Sequence, residues 1–529
     1  MSSNRWRTPG VVAGLWASAI TTLVAAGVHV LLPALAFPPL SIAQILVRAT
    51  PGQVNSFFIG YLGHWALRLA VLGVAIAFAG CGILSGVFIE RFGRWGRSRL
   101  VWSLSMLPVW LVGVILYPEV PQYLPRVHFT IATLPLFLMG GASAAPLYRR
   151  MRDAKPPPVL EIEPSSSPIT TEPRMPGNPA LSRRYFIVSL GVGGAGVALG
   201  LANLRSFLDP GTELLRSSGG VERATRPTPS PGDEAFDGIE GLTPEFTSIK
   251  DHYVVDEEII DPIISPDSWA LSVGGLVGTQ LAVTYAELKR MPAIERYQTL
   301  ECISNDVGGD LISTAKWVGV PLKTILEQAK IDTTNAVEVI FSASGGYSDS
   351  LPVEHAMDES TIVAFGMNDH VLPRAHGYPA RLLSLGTYGY KNPKWLTGIE
   401  VVDRPYRGFW QQRGWNKEGL LKTMSRIDVP RGGGVRGKVA IAGVAFAADR
   451  GIAKVEVSTD GGSSWTEARL KTPLSPYSWR LWLYEWDAQR GDHEVVVRAY
   501  DGTGEIQTSK KASPFPSGSS GYDTVDISA

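Results

Sequence analysis

The chain has 529 residues, too many for one typical domain, so two or three folded units are expected. Basic and acidic residues number 49 each, which excludes both a basic surface for nucleic acid and an acidic tail. The mean hydropathy of +0.07 averages a strongly apolar front third with a more polar, ordinary globular remainder.

Residues 11–36 carry no Asp, Glu, Lys or Arg and exceed the roughly 20 residues needed to cross a bilayer. Further apolar runs follow at 65–89 (broken only by Arg68), 100–117, 128–147 and 186–203, giving five expected spans. Flanking charge orients them, because Lys and Arg of short loops stay on the cytoplasmic side. Arg5 and Arg7 precede the first span, Arg91, Arg94, Arg97 and Arg99 follow the second, and Arg149, Arg150, Arg152 and Lys155 follow the fourth. The alternate loops hold only Arg48 and Arg126. This pattern predicts an inside N-terminus and an extracytoplasmic (periplasmic) location for everything after about residue 204.

Residues 1–150 thus read as a four-helix membrane domain and 151–182, rich in Pro and Ser, as a cytoplasmic linker. The fifth span, 183–204, opens with Ser182, Arg183, Arg184 and Phe186, which resemble an internal twin-arginine export signal or simply anchor the span. His29, His64 and His128 fall near the outer span ends, where histidines ligate haem, line a quinone site or merely sit at the interface. Residues 205–243 read as a flexible tether.

From 244 to 403 the pattern is that of an α+β domain. WALSVGGLV predicts a strand, LAVTYAEL a strand running into a helix start, VPLKTILEQAK an amphipathic helix and AVEVIFSAS another strand. The chain has only two cysteines, and Cys81 lies in an apolar run far from Cys302, so no disulfide between them is expected. Cys302 is either a small buried hydrophobe or a thiolate for a soft metal.

The ordered motifs TLECISNDVGGDLISTAKWVGVPLKTIL, GYSDSLP, HGYPARLL and GTYGYKNPKWLTGIEVV decide between these, because together they resemble the molybdopterin-binding domain of the sulfite oxidase family. The resemblance implies a molybdenum–molybdopterin cofactor ligated by Cys302. It also implies cofactor contacts from His376, Arg381, Lys391, Asn392, Pro393 and Lys394, Arg being suited to bidentate phosphate binding. Gly308 and Gly309 would let backbone approach the cofactor or serve as turn glycines. Arg450 matches a family arginine that reaches the pocket from the next domain, and Tyr347 of GYSDSLP is a further pocket candidate. Residues 404–529 alternate apolar and polar residues between Gly-rich turns and resemble the family's immunoglobulin-like β-sandwich, which implies a homodimer.

Some positions depart from the family. Asp306 and Val307 stand where sulfite-oxidising members carry an oxyanion-facing arginine, and Phe365 stands in place of the active-site tyrosine. Asp256, Glu257 and Glu258 replace basic residues near the domain start. An acid near the metal repels sulfite unless neutralised.

The expected whole is a membrane-anchored oxidoreductase of this family. It moves an oxygen atom to or from a small substrate and exchanges electrons with a membrane cytochrome or quinone. Two alternatives are a sulfoxide-type reductase fed by haem or quinol and a non-catalytic molybdopterin-domain binding protein.

Overall fold

The computed structural model describes residues 9–31, 38–62, 65–91, 98–115, 126–153, 213–215, 220–256, 258 and 261–529. The expected fifth span with its arginine pair, His64, Glu257 and the linker beyond residue 153 lie outside the described residues. Two compact units result. One comprises Met1–Ile45, Leu69–Glu119 and Tyr123–Asp209, the other Leu46–Arg68, Val120–Gln122 and Pro210–Ala529.

The described N-terminal helices are α1 (Pro9–Leu31), α2 (Pro38–Ala49), α3 (Gly52–Leu62), α4 (Trp65–Arg91), α5 (Arg99–Ser105), α6 (Leu107–Ile115) and α7 (Arg126–Arg152). In the first unit α1 and α4 meet through glycines spaced four apart. A methyl group on Gly14 would stand 2.0 Å from the Gly82 carbonyl oxygen, and one on Gly86 would stand 1.9 Å from that of Gly10. Small residues at this spacing let two helix backbones approach, as they do between helices in lipid. On α5, Trp102 is fully buried and its ring lies 5.8 Å from that of Tyr148 on α7.

A five-span bundle is not supported by the described residues, and the fifth expected span lies outside them. Among the described residues one segment, Leu69–Arg91, is long and apolar enough to cross a membrane, with a mean hydropathy of 2.3. The run at 100–117 breaks at Met106 into α5 and α6. Pro108 explains the break, because it has no N–H to donate and its ring clashes with the preceding turn. Helix α7 contains Pro135 and Pro146 and ends in Arg149, Arg150 and Arg152.

In the second unit the strands, in order, are β1 (Val221–Glu222), β2 (Ala270–Gly275), β3 (Leu281–Thr284), β4 (Ala293–Glu301), β5 (Ile312–Pro321), β6 (Glu338–Ala343), β7 (Ser348–Pro352), β8 (Ile362–Met367), β9 (His370–Val371), β10 (Arg381–Leu383) and β11 (Leu396–Val402). They form two sheets, β1-β4-β5-β8-β10 with β9 on β8, and β3-β2-β11-β6-β7. A shared core lies between them, with Val318, Val320, Val363 and Phe365 from one sheet and Leu271, Phe341, Ile399 and Val401 from the other. The helix start after β3 is fixed by a capping box between Thr284 and Glu287. Helix Leu322–Gln328 buries Leu322, Ile325 and Leu326, the i, i+3, i+4 stripe its sequence predicts.

The C-terminal part is a pair of four-stranded sheets. Its strands are β12 (Met424–Val429), β13 (Gly437–Phe446), β14 (Ile452–Ser458), β15 (Thr466–Glu467), β16 (Arg469–Leu470), β17 (Arg480–Ala488), β18 (Asp492–Asp501) and β19 (Asp523–Ser528). The sheets run β12-β13-β17-β16 and β15-β14-β18-β19. Ile441 and Trp482 of one pack on Val455, Val495 and Val497 of the other, as the alternating pattern requires.

The two halves of this unit share a second core, in which Ile303, Ile312, Tyr388 and Trp415 pack against Val444, Phe446, Trp479 and Leu483. The segment expected to be a flexible tether enters that core from its C-terminal half. Phe236 is buried there, and the Asp233 carboxylate accepts backbone N–H groups from Ser230 and Thr472.

Candidate functional site

Cys302 sits immediately after β4, at the start of the loop that returns to β5. Its N–H donates to the Leu311 carbonyl at 2.9 Å, and its own carbonyl accepts from the Asn305 N–H at 3.0 Å. The Asn305 amide clamps the loop from inside, accepting the Leu311 N–H at 3.0 Å and donating to Glu301 Oε1 at 3.0 Å. The C-terminal sheets hold the loop from behind. Ser519 Oγ donates to the Asn305 carbonyl at 2.6 Å, and Arg426 Nη1 donates to the Gly309 carbonyl at 2.8 Å. Gly308 has a φ of +74°, and a Cβ there would stand 2.6 Å from Asp523 Oδ1, so this glycine serves the turn and its contact with β19.

Cys302 lines a cleft with a cavity volume of about 80 Å³. Burial pushes the thiol up to about 11, with hydrogen bonds from Ser304 opposing the rise. A metal must therefore displace a proton to bind here. Leu300, Ser304 and Tyr347 line the cleft around Cys302, while Tyr390, Trp410 and Trp415 form an aromatic wall. The Tyr347 hydroxyl donates to the Tyr390 carbonyl at 2.5 Å.

Basic groups line the far end of the cleft. Arg381 is 5% exposed, and its Nη1 and Nη2 donate to the His376 and Asn392 carbonyls, each at 3.2 Å. No carboxylate among the described residues pairs with it, its Nε has no partner, and burial lowers it to about 10. His252 packs edge-on against His376 with ring centroids 4.9 Å apart, and its buried Nε2 also lacks a partner. Burial first, and the neighbouring His376 next, hold His252 well below its usual pKa. Lys394 extends along the same wall, donating to the Ala375 carbonyl at 2.9 Å and pairing with Asp256.

An unpaired buried cation and an orphaned ring nitrogen are expensive unless a ligand satisfies them. They fit an anionic, hydrogen-bonding group such as the phosphate of a pterin cofactor. The described residues hold no cluster of three His, Cys, Asp or Glu side chains around a metal position, so a metal at Cys302 needs further donors from a cofactor.

The sequence-based expectations divide on this geometry. Cys302, Tyr347, His376, Arg381, Asn392, Pro393 and Lys394 all line the cleft. Lys391 does not. Its ammonium is buried against Asp349 at 2.6 Å, and Gln411 donates to the same carboxylate at 2.9 and 3.1 Å. Arg450 is also outside the cleft, its guanidinium donating to Asp501 at 2.8 Å and to the Leu421 carbonyl at 3.1 Å. Phe365 is fully buried in the core between the sheets, so it does not stand in for a tyrosine at the cleft, which Tyr253, Tyr347 and Tyr390 line. Glu258 is a buried partner of Arg48.

Asp306 and Val307 line a second, smaller cavity with Glu301, Tyr388 and Lys422. His252, Tyr253 and Asp256 were not expected at the cleft. They lie in DHYVVD, a segment with no periodicity to place it, whose signals were a histidine beside an aromatic residue and Asp256 in place of a basic residue.

The class of protein follows from comparison with known families. Residues 258–410 match the oxidoreductase molybdopterin binding domain, and residues 422–513 match the Mo-co oxidoreductase dimerisation domain. The chain therefore carries a molybdopterin-binding oxidoreductase domain joined to a Mo-co dimerisation domain, with sulfite oxidases among its relatives. Mitochondrial sulfite oxidase of Homo sapiens is 31% identical over 296 residues, covering 46% of this chain and 54% of that one. Sulfite oxidase of Gallus gallus is 27% identical, covering 50% of this chain and 69% of that one. An uncharacterized oxidoreductase of Bacillus subtilis, YuiH, is 29% identical over 151 residues, covering 28% of this chain and 74% of that one. The chain spans about half the length of the mammalian sulfite oxidases it matches.

Proposed function

We propose that this chain is a membrane-held, molybdenum-cofactor-dependent oxidoreductase that acts on a small substrate outside the cytoplasm. The observation that carries the reading is the cleft itself: one buried thiol at its head and unsatisfied Arg381 and His252 groups at its foot. When bound, a molybdenum–pterin cofactor supplies two-electron oxygen-atom transfer chemistry. Cys302 would hold the metal, Arg381 and His252 the cofactor's anionic end, and the Tyr390–Trp410–Trp415 wall would keep bulk water out. Tyr347 places a phenol near the thiol, with its proton committed to the Tyr390 carbonyl.

Three observations support the membrane part. Leu69–Arg91 is a candidate span, the α1–α4 contact uses glycines four apart, and α3 exposes Phe57 and Phe58 as residues at a bilayer interface do. The side follows from charge. Leu46–Arg68, which precedes that span, belongs to the compact unit with the cofactor domain, whereas Arg91, Arg94, Arg97 and Arg99 follow the span. The positive-inside pattern supports a cytoplasmic arginine-rich end for that span.

Asp306 argues against sulfite, because it stands where sulfite-oxidising members of the family carry an oxyanion-facing arginine. The dimerisation domain supports a homodimer.

The test is molybdenum and pterin analysis of the full-length protein, purified in detergent from a cofactor-competent host, followed by a substrate screen with artificial donors and acceptors. Wild-type protein should carry both, and Cys302→Ser should lose molybdenum and activity. Activity unchanged in Cys302→Ser refutes the assigned ligand.

A further inference from the structure

The segment between α1 and α4 in sequence holds two helices, α2 and α3, joined at Thr50 and Pro51. From Leu46 onward it belongs to the same compact unit as the cofactor cleft. Its contacts there are specific. Arg48 pairs with Glu258 at 2.5 Å, a carboxylate whose side chain is 1% exposed, and also donates to the Gly345 carbonyl. The Arg48 carbonyl in turn accepts from Arg413 Nε at 2.7 Å. Gly52 is buried against the segment that follows the cleft. A Cβ there would stand 2.6 Å from the Arg413 carbonyl oxygen and 2.7 Å from Trp415 Nε1. Two helical turns further on, on the same face, Ile59 lines the cleft beside Trp410 and Trp415. Val54, Phe57 and Phe58 on α3 are exposed.

We infer that residues 46–62 are an integral wall of the cofactor site, so that a segment connecting two N-terminal helices helps to retain the cofactor rather than only anchoring the chain. The inference rests on the proposed function only for the identity of the ligand. Ile59 lines the cleft together with Trp410 and Trp415. The Arg48–Glu258 pair and the close seat of Gly52 fix this segment against the domain.

The experiment uses full-length protein loaded with cofactor and follows the fluorescence of released pterin after dilution. Gly52→Leu, which forces the start of α3 off Arg413 and Trp415, and Ile59→Ala, which opens the wall without moving it, should each release pterin on the order of tenfold faster than wild type. Phe57→Ala, on the exposed face, should release it at the wild-type rate. If Gly52→Leu does not fold, Ile59→Ala decides. Wild-type release rates in folded Gly52→Leu and Ile59→Ala overturn the inference.

Hydrogen exchange over residues 46–62 separates this outcome from failure of the proposed function, since it reads the contact without any cofactor. Slow exchange in wild type and fast exchange in Gly52→Leu support the wall. Equally fast exchange in both removes it. A wild-type protein that binds no pterin but protects 46–62 overturns the proposed function alone.

Discussion

Lys391 provides the sharpest test of the site as drawn. Its ammonium and the Asp349 carboxylate are 3% and 1% exposed, 2.6 Å apart, and away from the cleft. Replacing Lys391 by Met keeps most of the side-chain volume and leaves Asp349 buried as an unpaired charge. Removing one partner of a buried pair costs about 3–5 kcal/mol. Gln411 still donates to Asp349 at 2.9 and 3.1 Å, which places the loss near the lower end, about 3 kcal/mol. For a domain of this size that lowers the melting temperature by roughly 10 °C. The double replacement Lys391→Met with Asp349→Leu removes both charges and should recover most of the loss. The assay is denaturant unfolding followed by tryptophan fluorescence, paired with molybdenum and pterin content per folded protein. A Lys391→Met protein with wild-type stability but no cofactor would refute the reasoning, because the ammonium would then act on the cofactor and not on Asp349.

Three further outcomes follow from the same geometry. Arg381→Gln should lower pterin affinity at least about tenfold, as expected for loss of a charged hydrogen-bond donor, while the apo-protein becomes no less stable because an unpaired buried cation is gone. Equilibrium dialysis and unfolding midpoints check the two halves of that statement. His252 is held neutral by burial and by His376, so its contribution to apo-protein stability is complete above about pH 6.5 and is lost as the pH falls below it. His252→Gln should flatten that acid limb of the stability profile; an unchanged profile would show that another group sets it. Gly14→Leu should separate α1 from α4 and destabilise the helical unit by about 1–3 kcal/mol or more, read as earlier unfolding or aggregation in detergent.

Much of the cofactor domain was legible in the sequence because its signals are local. Thr284 and Glu287 are three apart and cap one helix, Leu322, Ile325 and Leu326 form one apolar stripe, and the motifs around Cys302, His376 and Arg381 stand in a fixed order. The C-terminal strands were legible for the same reason, through their alternation. The membrane part was less legible, because hydropathy alone does not register helix breaks or helix pairing. Composition does not register that Pro108 ends a helix inside the run at 100–117, nor does it show that Gly10, Gly14, Gly82 and Gly86 face one another.

The sequence by itself determined which cofactor domain this chain carries and where its candidate metal ligand lies. Only the tertiary structure decided which residues face the cofactor cleft. Lys391 and Lys394 lie three residues apart in one basic loop, yet the turn at Gly389–Lys391 sends the first to Asp349 and the second into the cleft. Asp349 is 42 residues away in sequence, on β7, and no local pattern records that it will be there. The direction of a side chain depends on the backbone turn that carries it and on the partner that the fold brings to meet it. Arg450 and Phe365 show the same physics, held by Asp501 and by the inter-sheet core, as does Ile59, brought to the cleft from a helix more than 200 residues before Cys302.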